Sequence, residues 1–210
     1  MIVPTKCLAR MFAGALTTAV ALAAVGSSAG ATGTTLACST RSESQAFSRW
    51  SDTYSYFRMP NGGFESATQE WALSGGAAVV SGNEPWKVGG SADAKSLRIP
   101  AKATAESRTI CVGMGEDSIR LFVNNAHVAG SILHVEAIVR NPKNGQIAQT
   151  AFDVNGDAAP TGWSPTMRLG IPNLLGGTSG TQELTLRFTT RGTAATWAID
   201  DVYVDPLKLK

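Results

Sequence analysis

Two stretches, Asn61-Gly62-Gly63-Phe64-Glu65 and Trp197-Ala198-Ile199-Asp200-Asp201-Val202-Tyr203-Val204, carry most of the information about the fold of this chain. The first is a glycine turn with one carboxylate, and Trp71 follows it. The second is a run of β-favouring residues with two carboxylates, just before the C-terminus. The first and last strands of an all-β sandwich often lie side by side. The two stretches therefore predict a sandwich with three acids at a shared edge.

The sequence between these stretches is patterned for strands. Residues 132–140 alternate, and their apolar members, Leu133, Val135, Ala137 and Val139, are expected to face one side. Asn144-Gly145 follows, which favours a tight hairpin turn into a strand over 146–154. Further strands are predicted over 77–80, 96–99, 109–112, 118–123, 184–189 and 196–204. This regular spacing predicts a two-sheet antiparallel β-sandwich of the jelly-roll kind.

The N-terminal region has the pattern of a secretory signal. Lys6 and Arg10 precede an apolar run over 11–25, and Ala29-Gly30-Ala31 fits a cleavage site. Residues 1–31 are thus predicted as a signal peptide, 32–60 as a linker with an aromatic lead-in that packs onto the domain, and 61–210 as the jelly-roll domain. The mature protein is expected to be secreted and extracellular.

The charge balance excludes one class of partner. The chain has 18 basic and 16 acidic residues. Loss of Lys6 and Arg10 with the signal leaves 16 basic residues (18 minus 2) against the same 16 acids. A nucleic-acid binder carries a clear positive excess, so this function is not expected. The apolar run is also shorter than the roughly 20 residues of a membrane span, and no membrane span is predicted.

Two cysteines, Cys38 and Cys111, remain after the signal. A single pair in an oxidising compartment predicts a disulfide. The bridge would tie the lead-in to a strand of the domain.

Catalytic motifs are missing from the sequence. The two histidines, His127 and His134, stand in no metal-binding or nucleophile motif, and no G-x-S-x-G, H-E-x-x-H or Walker pattern occurs. Asp200 and Asp201 are adjacent on a predicted strand and are expected to point to opposite faces, which does not suit a glycosidase pair. The sequence therefore predicts a binding protein rather than an enzyme.

Candidate ligand contacts fall into two groups. Trp86 and Trp163 lie on predicted loops, where an aromatic face could stack on a sugar ring or simply pack against a sheet edge. Polar residues at outward strand positions could form a surface for hydroxyl groups, or an ordinary solvated face with cross-strand ion pairs. These polar candidates are Arg120, His134, Glu136 and Arg187.

The opening and closing stretches, with Trp71, resemble those of the jelly-roll carbohydrate-binding modules of bacterial glycoside hydrolases. Val80-Ser81-Gly82-Asn83-Glu84-Pro85, with Cys111-Val112-Gly113, is similar more specifically to a group of uncharacterised small secreted bacterial proteins. The resemblance covers roughly residues 38–206. It implies a galactose-binding-domain-like sandwich, in which the first and last strands adjoin.

The resemblance also implies one structural calcium ion. In such modules the Glu of the opening motif and an Asp of the closing motif help to hold it, which corresponds here to Glu65 and to Asp200 or Asp201. Calcium prefers six to eight oxygen ligands, and carboxylates suit it. The alternative is that Glu65 is a solvated turn residue and that the aspartates bond their own backbone.

A secreted, non-catalytic module that binds a glycan or cell-surface polysaccharide is the function that these observations favour. The alternative is an extracellular structural or protein-interaction domain without a sugar site. Neither the ligand nor the oligomeric state follows from the sequence.

Overall fold

Alternating burial along the long strands arranges the chain as two packed antiparallel sheets. The computed structural model describes Cys38, residues 41–176 and residues 180–205. The predicted two-sheet antiparallel β-sandwich is confirmed. The predicted signal peptide, residues 1–31, lies outside the described residues. In the part of the chain that the structure describes, no helix is long and apolar enough to cross a membrane.

The strands alternate with short turns and loops, and one 3₁₀ turn interrupts the N-terminal part (Ser48–Trp50). In chain order the strands of the described residues are β1 (Glu43–Ser44), β2 (Tyr56–Arg58), β3 (Trp71–Ser74), β4 (Ala78–Ser81), β5 (Lys95–Ile99), β6 (Thr104–Ser107), β7 (Ile110–Gly113), β8 (Ser118–Asn124), β9 (Ser131–Arg140), β10 (Ile147–Asn155), β11 (Ser164–Pro165), β12 (Leu169–Gly170), β13 (Thr181–Gly192) and β14 (Trp197–Asp205).

The first sheet has the order β1-β2-β14-β5-β4, and β8 also pairs with β14 and carries β11 and β12. The second sheet has the order β10-β9-β13-β6-β3, and β7 also pairs with β13. The strand that precedes the opening turn adjoins the last strand: β2 pairs with β14, with Arg58 opposite Tyr203, whereas β1 pairs with β2. The opening turn continues this contact, because Val202 N–H donates to the carbonyl of Gly62.

The core lies between the sheets and follows the predicted alternation. Leu133, Val135, Ala137 and Val139 of β9 are all fully buried. On β13, Leu184, Leu186 and Phe188 are buried in the same way. Burial of each large apolar side chain stabilises the fold by about 1.5–3 kcal/mol, so these two strands form much of the central support of the sandwich.

The hairpin between β9 and β10 forms as predicted, but its turn is longer than predicted. Arg140 is paired with Ile147, which leaves a six-residue loop instead of a tight turn. The ladder ends where Pro142 lacks an N–H to continue it. The Asn141 N–H closes the loop by donating to the carbonyl of Gln146, and Gly145 adopts φ +73°.

The lead-in covers the outer face of the first sheet. Phe47, Tyr56, Phe122 and Tyr203 form a buried aromatic layer on this face, separate from the core between the sheets. Phe47 is central: its ring lies 4.8 Å from that of Tyr56 and 5.3 Å from that of Phe122. Since residues 43–44 and 56–58 also add strands to the sheet, the described part of the lead-in is integral to the fold.

The disulfide joins Cys38 to Cys111, with 73 residues of separation and a Cα–Cα distance of 5.3 Å. Arg41 reinforces this attachment by donating to the carboxylate of Glu116 and to the carbonyl of Cys111. Cys38 and Arg41 of the lead-in are thereby fixed to β7 of the second sheet.

Candidate functional site

A bulge in the last strand brings its two aspartates to one place. The register of β14 against β8 shifts between Asp200 and Tyr203, and Asp201 adopts φ +47°. Both aspartates are fully buried, and both meet the loop that carries Glu84. The expectation that they point to opposite faces is wrong, because a bulge breaks the two-residue period of a regular strand.

Three buried acids converge beside this bulge. Carboxylate oxygens of Glu84, Asp93 and Asp201 all lie within 4.8 Å of one another, and we call these three residues the acid cluster. Glu84 and Asp93 come from the loop between β4 and β5, and Asp201 comes from β14. Burial of several carboxylates together is unfavourable unless protons or cations compensate their charge.

Arg58 is the basic residue that pairs with this cluster. Its Nη1 lies 3.0 Å from Oδ1 of Asp201. Burial opposes the charge of the guanidinium, but the hydrogen bond to Asp201 outweighs it and raises the pKa of Arg58. Two glycines make room: a Cβ on Gly63 would lie 2.7 Å from Nη1, and a Cβ on Gly89 would overlap the same atom.

Burial and the mutual repulsion of the carboxylates both favour the protonated forms of these acids. Burial, and then the charge of Asp201, raises the pKa of Asp200 to about 9. The same two causes, with the nearby carboxyl of Glu65, raise the pKa of Asp93 to about 7. One guanidinium therefore does not balance the charge of this region.

Several oxygens of the acid cluster are available to a cation. Both oxygens of Asp93 and Oδ2 of Asp201 are buried, and among the described residues no N–H or hydroxyl group donates to them, although the neighbouring Glu65 carboxyl can share a proton with Asp93. A buried carboxylate oxygen without a donor is costly. A donor set made only of oxygens matches the preference of hard divalent cations such as Ca²⁺. These residues fit such an ion.

The predicted metal ligands are distributed around this cluster. Asp201 belongs to it. Oε1 of Glu65 instead accepts the N–H groups of Ala94 and Lys95, both at 2.7 Å, next to Asp93. The oxygens of Asp200 accept the N–H groups of Glu84, at 3.1 Å, and Asp201, at 2.8 Å. Glu65 and Asp200 thus border the acid cluster. Its other two members, Glu84 and Asp93, were not predicted as metal ligands from the sequence.

Glu84 connects the acid cluster to an aromatic surface. Its two carboxylate oxygens accept the N–H groups of Trp86 and Val88. These bonds curl the loop around the buried carboxylate and fix where Trp86 emerges. The position of Trp86 therefore depends on a buried acid two residues earlier.

Trp86 and Trp50 form two walls of a surface cavity. Their ring centroids are 4.8 Å apart and the rings are perpendicular, at 88°. The cavity has a volume of about 360 Å³, and we call it the Trp50–Trp86 cavity. The other lining residues are Ser44, Gln45, Ala46, Ser48, Arg49 and Val88. Trp50 belongs to the predicted aromatic lead-in, and no sequence pattern indicates that it meets Trp86.

The two other candidates from the first sheet have structural contacts. Arg120 donates from Nη1 to Asp52 and from Nε to the Thr166 carbonyl at 2.7 Å, and its guanidinium lies 4.4 Å from the ring centre of Phe47. Its side chain is only 12% exposed, and it holds the lead-in onto β8. Trp163 is partly buried and packs against the aromatic layer.

The remaining candidates, His134, Glu136 and Arg187, lie on the second sheet. His134 bonds Asp153 at 2.6 Å, and Glu136 accepts from Gln149, also at 2.6 Å. Arg187 pairs with Glu106 at 2.8 Å and with Glu136 at 3.6 Å. The structure thus separates the six predicted ligand contacts between the two sheets, and those of the second sheet form a network of cross-strand pairs.

No protein-family model matches the chain, and no curated protein matches it. Similar solved structures include a family 61 carbohydrate-binding module in complex with β-1,4-galactotriose, at 15% identity over 70% of this chain and 96% of that chain, with a TM-score of 0.43. A family 16 carbohydrate-binding module, module 2 by its name, shows 14% identity over 68% of this chain and 95% of that chain, with a TM-score of 0.44. A xylan-binding domain from Paenibacillus barcinonensis shows 16% identity over 71% and 93%, with a TM-score of 0.41. Identities and scores of this size carry no inference about the ligand of this chain.

Proposed function

We propose that this protein is a non-catalytic, extracellular module that binds a glycan in the Trp50–Trp86 cavity. The observation that carries the proposal is the perpendicular pair of indoles at the wall of an open cavity. One indole can stack on the apolar face of a sugar ring while the other limits its position. The volume lies near the lower end of the usual range for ligand sites, about 300–1,000 Å³, so a short stretch of a glycan suits it.

The polar lining supplies groups for sugar hydroxyls. Ser44, Ser48 and Gln45 offer hydroxyl and amide groups, and Arg49 offers a guanidinium. A few polar groups around an apolar surface are typical of small-ligand sites, since they fix the orientation of the ligand.

The same lining supports binding without hydrolysis. No carboxylate or imidazole is among the described residues that line the cavity. Glycoside hydrolysis commonly needs a pair of carboxylates on the two sides of the scissile bond. The acids closest in sequence to Trp86 are Glu84 and Asp93, and both are buried in the acid cluster.

The Trp86→Ala variant is expected to bind polysaccharide about tenfold more weakly than the unaltered protein. Loss of one stacking face removes up to about 1.5 kcal/mol of affinity, by analogy with aromatic pairs, and each 1.4 kcal/mol is tenfold. Affinity electrophoresis against plant, fungal and bacterial-wall polysaccharides, followed by calorimetry on the best one, provides the measurement. Circular dichroism checks that the variant folds.

The matched control is Arg187→Ala, on the outer face of the second sheet. It should keep full affinity for the polysaccharide. If Arg187→Ala loses binding and Trp86→Ala does not, the glycan site lies on the second sheet. If the unaltered protein binds nothing across the whole panel, the protein-interaction alternative is favoured instead.

We also propose that the acid cluster holds a divalent cation, with calcium as the ion that best matches its oxygen donors. Asp93 and Asp201, with Glu84, would hold it. The ion would supply positive charge to buried carboxylates and cross-link β14 to the loop before β5. Its role would be structural. An ion that fixes the Glu84 carboxylate would also fix the backbone at Trp86, because that carboxylate accepts the Trp86 N–H.

Calcium is expected to raise the melting temperature of the chelator-treated protein by about 3–6 °C at a concentration ten times its dissociation constant. Binding to the folded state alone adds about 1.4 kcal/mol at that ratio, and a domain of this size shifts about 2–4 °C per kcal/mol. Differential scanning calorimetry in EDTA and then in calcium measures the shift. The Asp93→Asn variant should show a much smaller shift, and identical melting curves in EDTA and calcium would exclude the site.

A further inference from the structure

We propose that Arg58 is a resident counter-cation of the acid cluster, and that it sets the affinity of the cluster for divalent cations low. This inference rests on the cation site proposed above. The group concerned is the Arg58 guanidinium, which lies beside the buried carboxylate of Asp201.

The first support is the position of the guanidinium. Nη1 of Arg58 lies 3.0 Å from Oδ1 of Asp201, whose side chain is fully buried, while the Arg58 side chain remains 36% exposed. Asp201 is also the residue whose other oxygen, Oδ2, has no donor among the described residues. Asp201 therefore pairs with the guanidinium through one oxygen and keeps a second buried oxygen that has no donor among the described residues.

The second support is the space that the backbone leaves for Arg58. A Cβ on Gly89 would overlap Nη1 and would lie 2.8 Å from Oδ1 of Asp201 and 3.0 Å from Oδ2 of Asp93. A Cβ on Gly63 would lie 2.7 Å from Nη1. The guanidinium fits beside the acids because both of these positions are glycine. The two glycines leave space for the guanidinium, and Asp201 holds it there by a hydrogen bond.

The third support is electrostatic. A positive group within a few ångströms of a carboxylate reduces its attraction for a second cation, and this effect is large where water is excluded. Three carboxylates and one guanidinium still carry a negative surplus, so a divalent cation is attracted. It is attracted less than it would be if Arg58 were neutral.

Calcium titration of Arg58→Gln tests the proposal. Glutamine keeps much of the side-chain length and removes the charge. The variant should bind calcium at least tenfold more tightly than the unaltered protein, measured by calorimetry with calcium chloride on chelator-treated full-length protein. It should also gain more melting temperature from calcium than the unaltered protein gains.

Two matched controls accompany it. Arg58→Lys keeps the charge and should bind calcium with nearly the affinity of the unaltered protein. Arg108→Gln removes a guanidinium that is 53% exposed and paired with Glu70, away from the cluster, and should change nothing.

Equal calcium affinity in Arg58→Gln and the unaltered protein would overturn the role of Arg58, and so would weaker binding by the folded variant. Absence of binding by every variant would instead reject the cation site itself. If Arg58→Gln fails to fold, nitrogen NMR of the arginine side chains in the unaltered protein replaces it. The Arg58 signal should shift with the same midpoint as calcium binding, and an unchanged signal at saturating calcium would overturn the proposal.

Discussion

Replacement of both Cys38 and Cys111 by serine is expected to lower the free energy of unfolding by about 4 kcal/mol. The disulfide closes a loop with 73 residues of separation, and a loop of that length restricts the unfolded chain by about this amount in the chain-entropy model. Urea denaturation of the oxidised protein and of the double-serine variant measures the difference. Dithiothreitol should reproduce the loss in the unaltered protein and should have no effect on the variant.

The same substitution is expected to weaken glycan binding. Residues 44–50 supply most of the lining of the Trp50–Trp86 cavity, and the disulfide fixes the segment that precedes them. A less firmly attached lead-in would form the complete cavity for a smaller fraction of the time, and the apparent affinity falls by that fraction. Full stability and full glycan affinity in the double-serine variant would show that the ion pairs and aromatic contacts of the lead-in hold it without the bridge.

Glu84→Ala is expected to destabilise the protein by about 3 kcal/mol and to abolish measurable glycan retention. The substitution removes the acceptor for two backbone N–H groups, those of Trp86 and Val88. Each hydrogen bond to a charged group contributes about 1.5–3 kcal/mol. Relief of repulsion with Asp93 and Asp201 offsets part of this loss.

The matched control for this prediction is Glu183→Ala, which removes a partly exposed carboxylate paired with Arg140 on the second sheet. That variant should lose less than about 1 kcal/mol, as is usual for surface pairs. Thermal melts and affinity electrophoresis on both variants provide the comparison. If Glu84→Ala binds glycan normally, the loop that carries Trp86 does not depend on the buried carboxylate.

The fold was predictable because its strongest signals are local. The alternation along β9 and β13 has a period of two residues, and the core residues of both strands are buried as that period requires. The adjacency of the opening turn and the closing strand was also predicted, and the Val202–Gly62 hydrogen bond confirms it. The hairpin loop after Arg140 was predicted too short. Asn144-Gly145 is a strong signal for a tight turn, and the prediction did not take into account that Pro142 has no N–H to extend the strand pairing beyond Arg140.

The candidate site was harder to predict because it depends on contacts between distant segments. Trp50 and Trp86 are separated by 36 positions, and no periodic pattern relates them. Glu84 and Asp93 lie in a loop of glycines and polar residues, where an acid is ordinarily solvated. Only the packing of that loop against β14 buries them. The signals that pointed to this region were the pair of aspartates in the last strand and Glu65 of the opening turn.

The bulge in β14 makes the length of this segment more important than its composition. The β8 partners of Asp200 and Tyr203 are two residues apart, so these two side chains share a face of the sheet although three positions separate them. Removal of one residue between them would abolish the bulge and, with it, the backbone geometry that brings Asp201 to the acid cluster. We therefore expect insertions and deletions here to be poorly tolerated, whereas conservative substitutions at Val202 should be accepted. A library of variants that differ in length at this point, selected for soluble expression, would recover the original length.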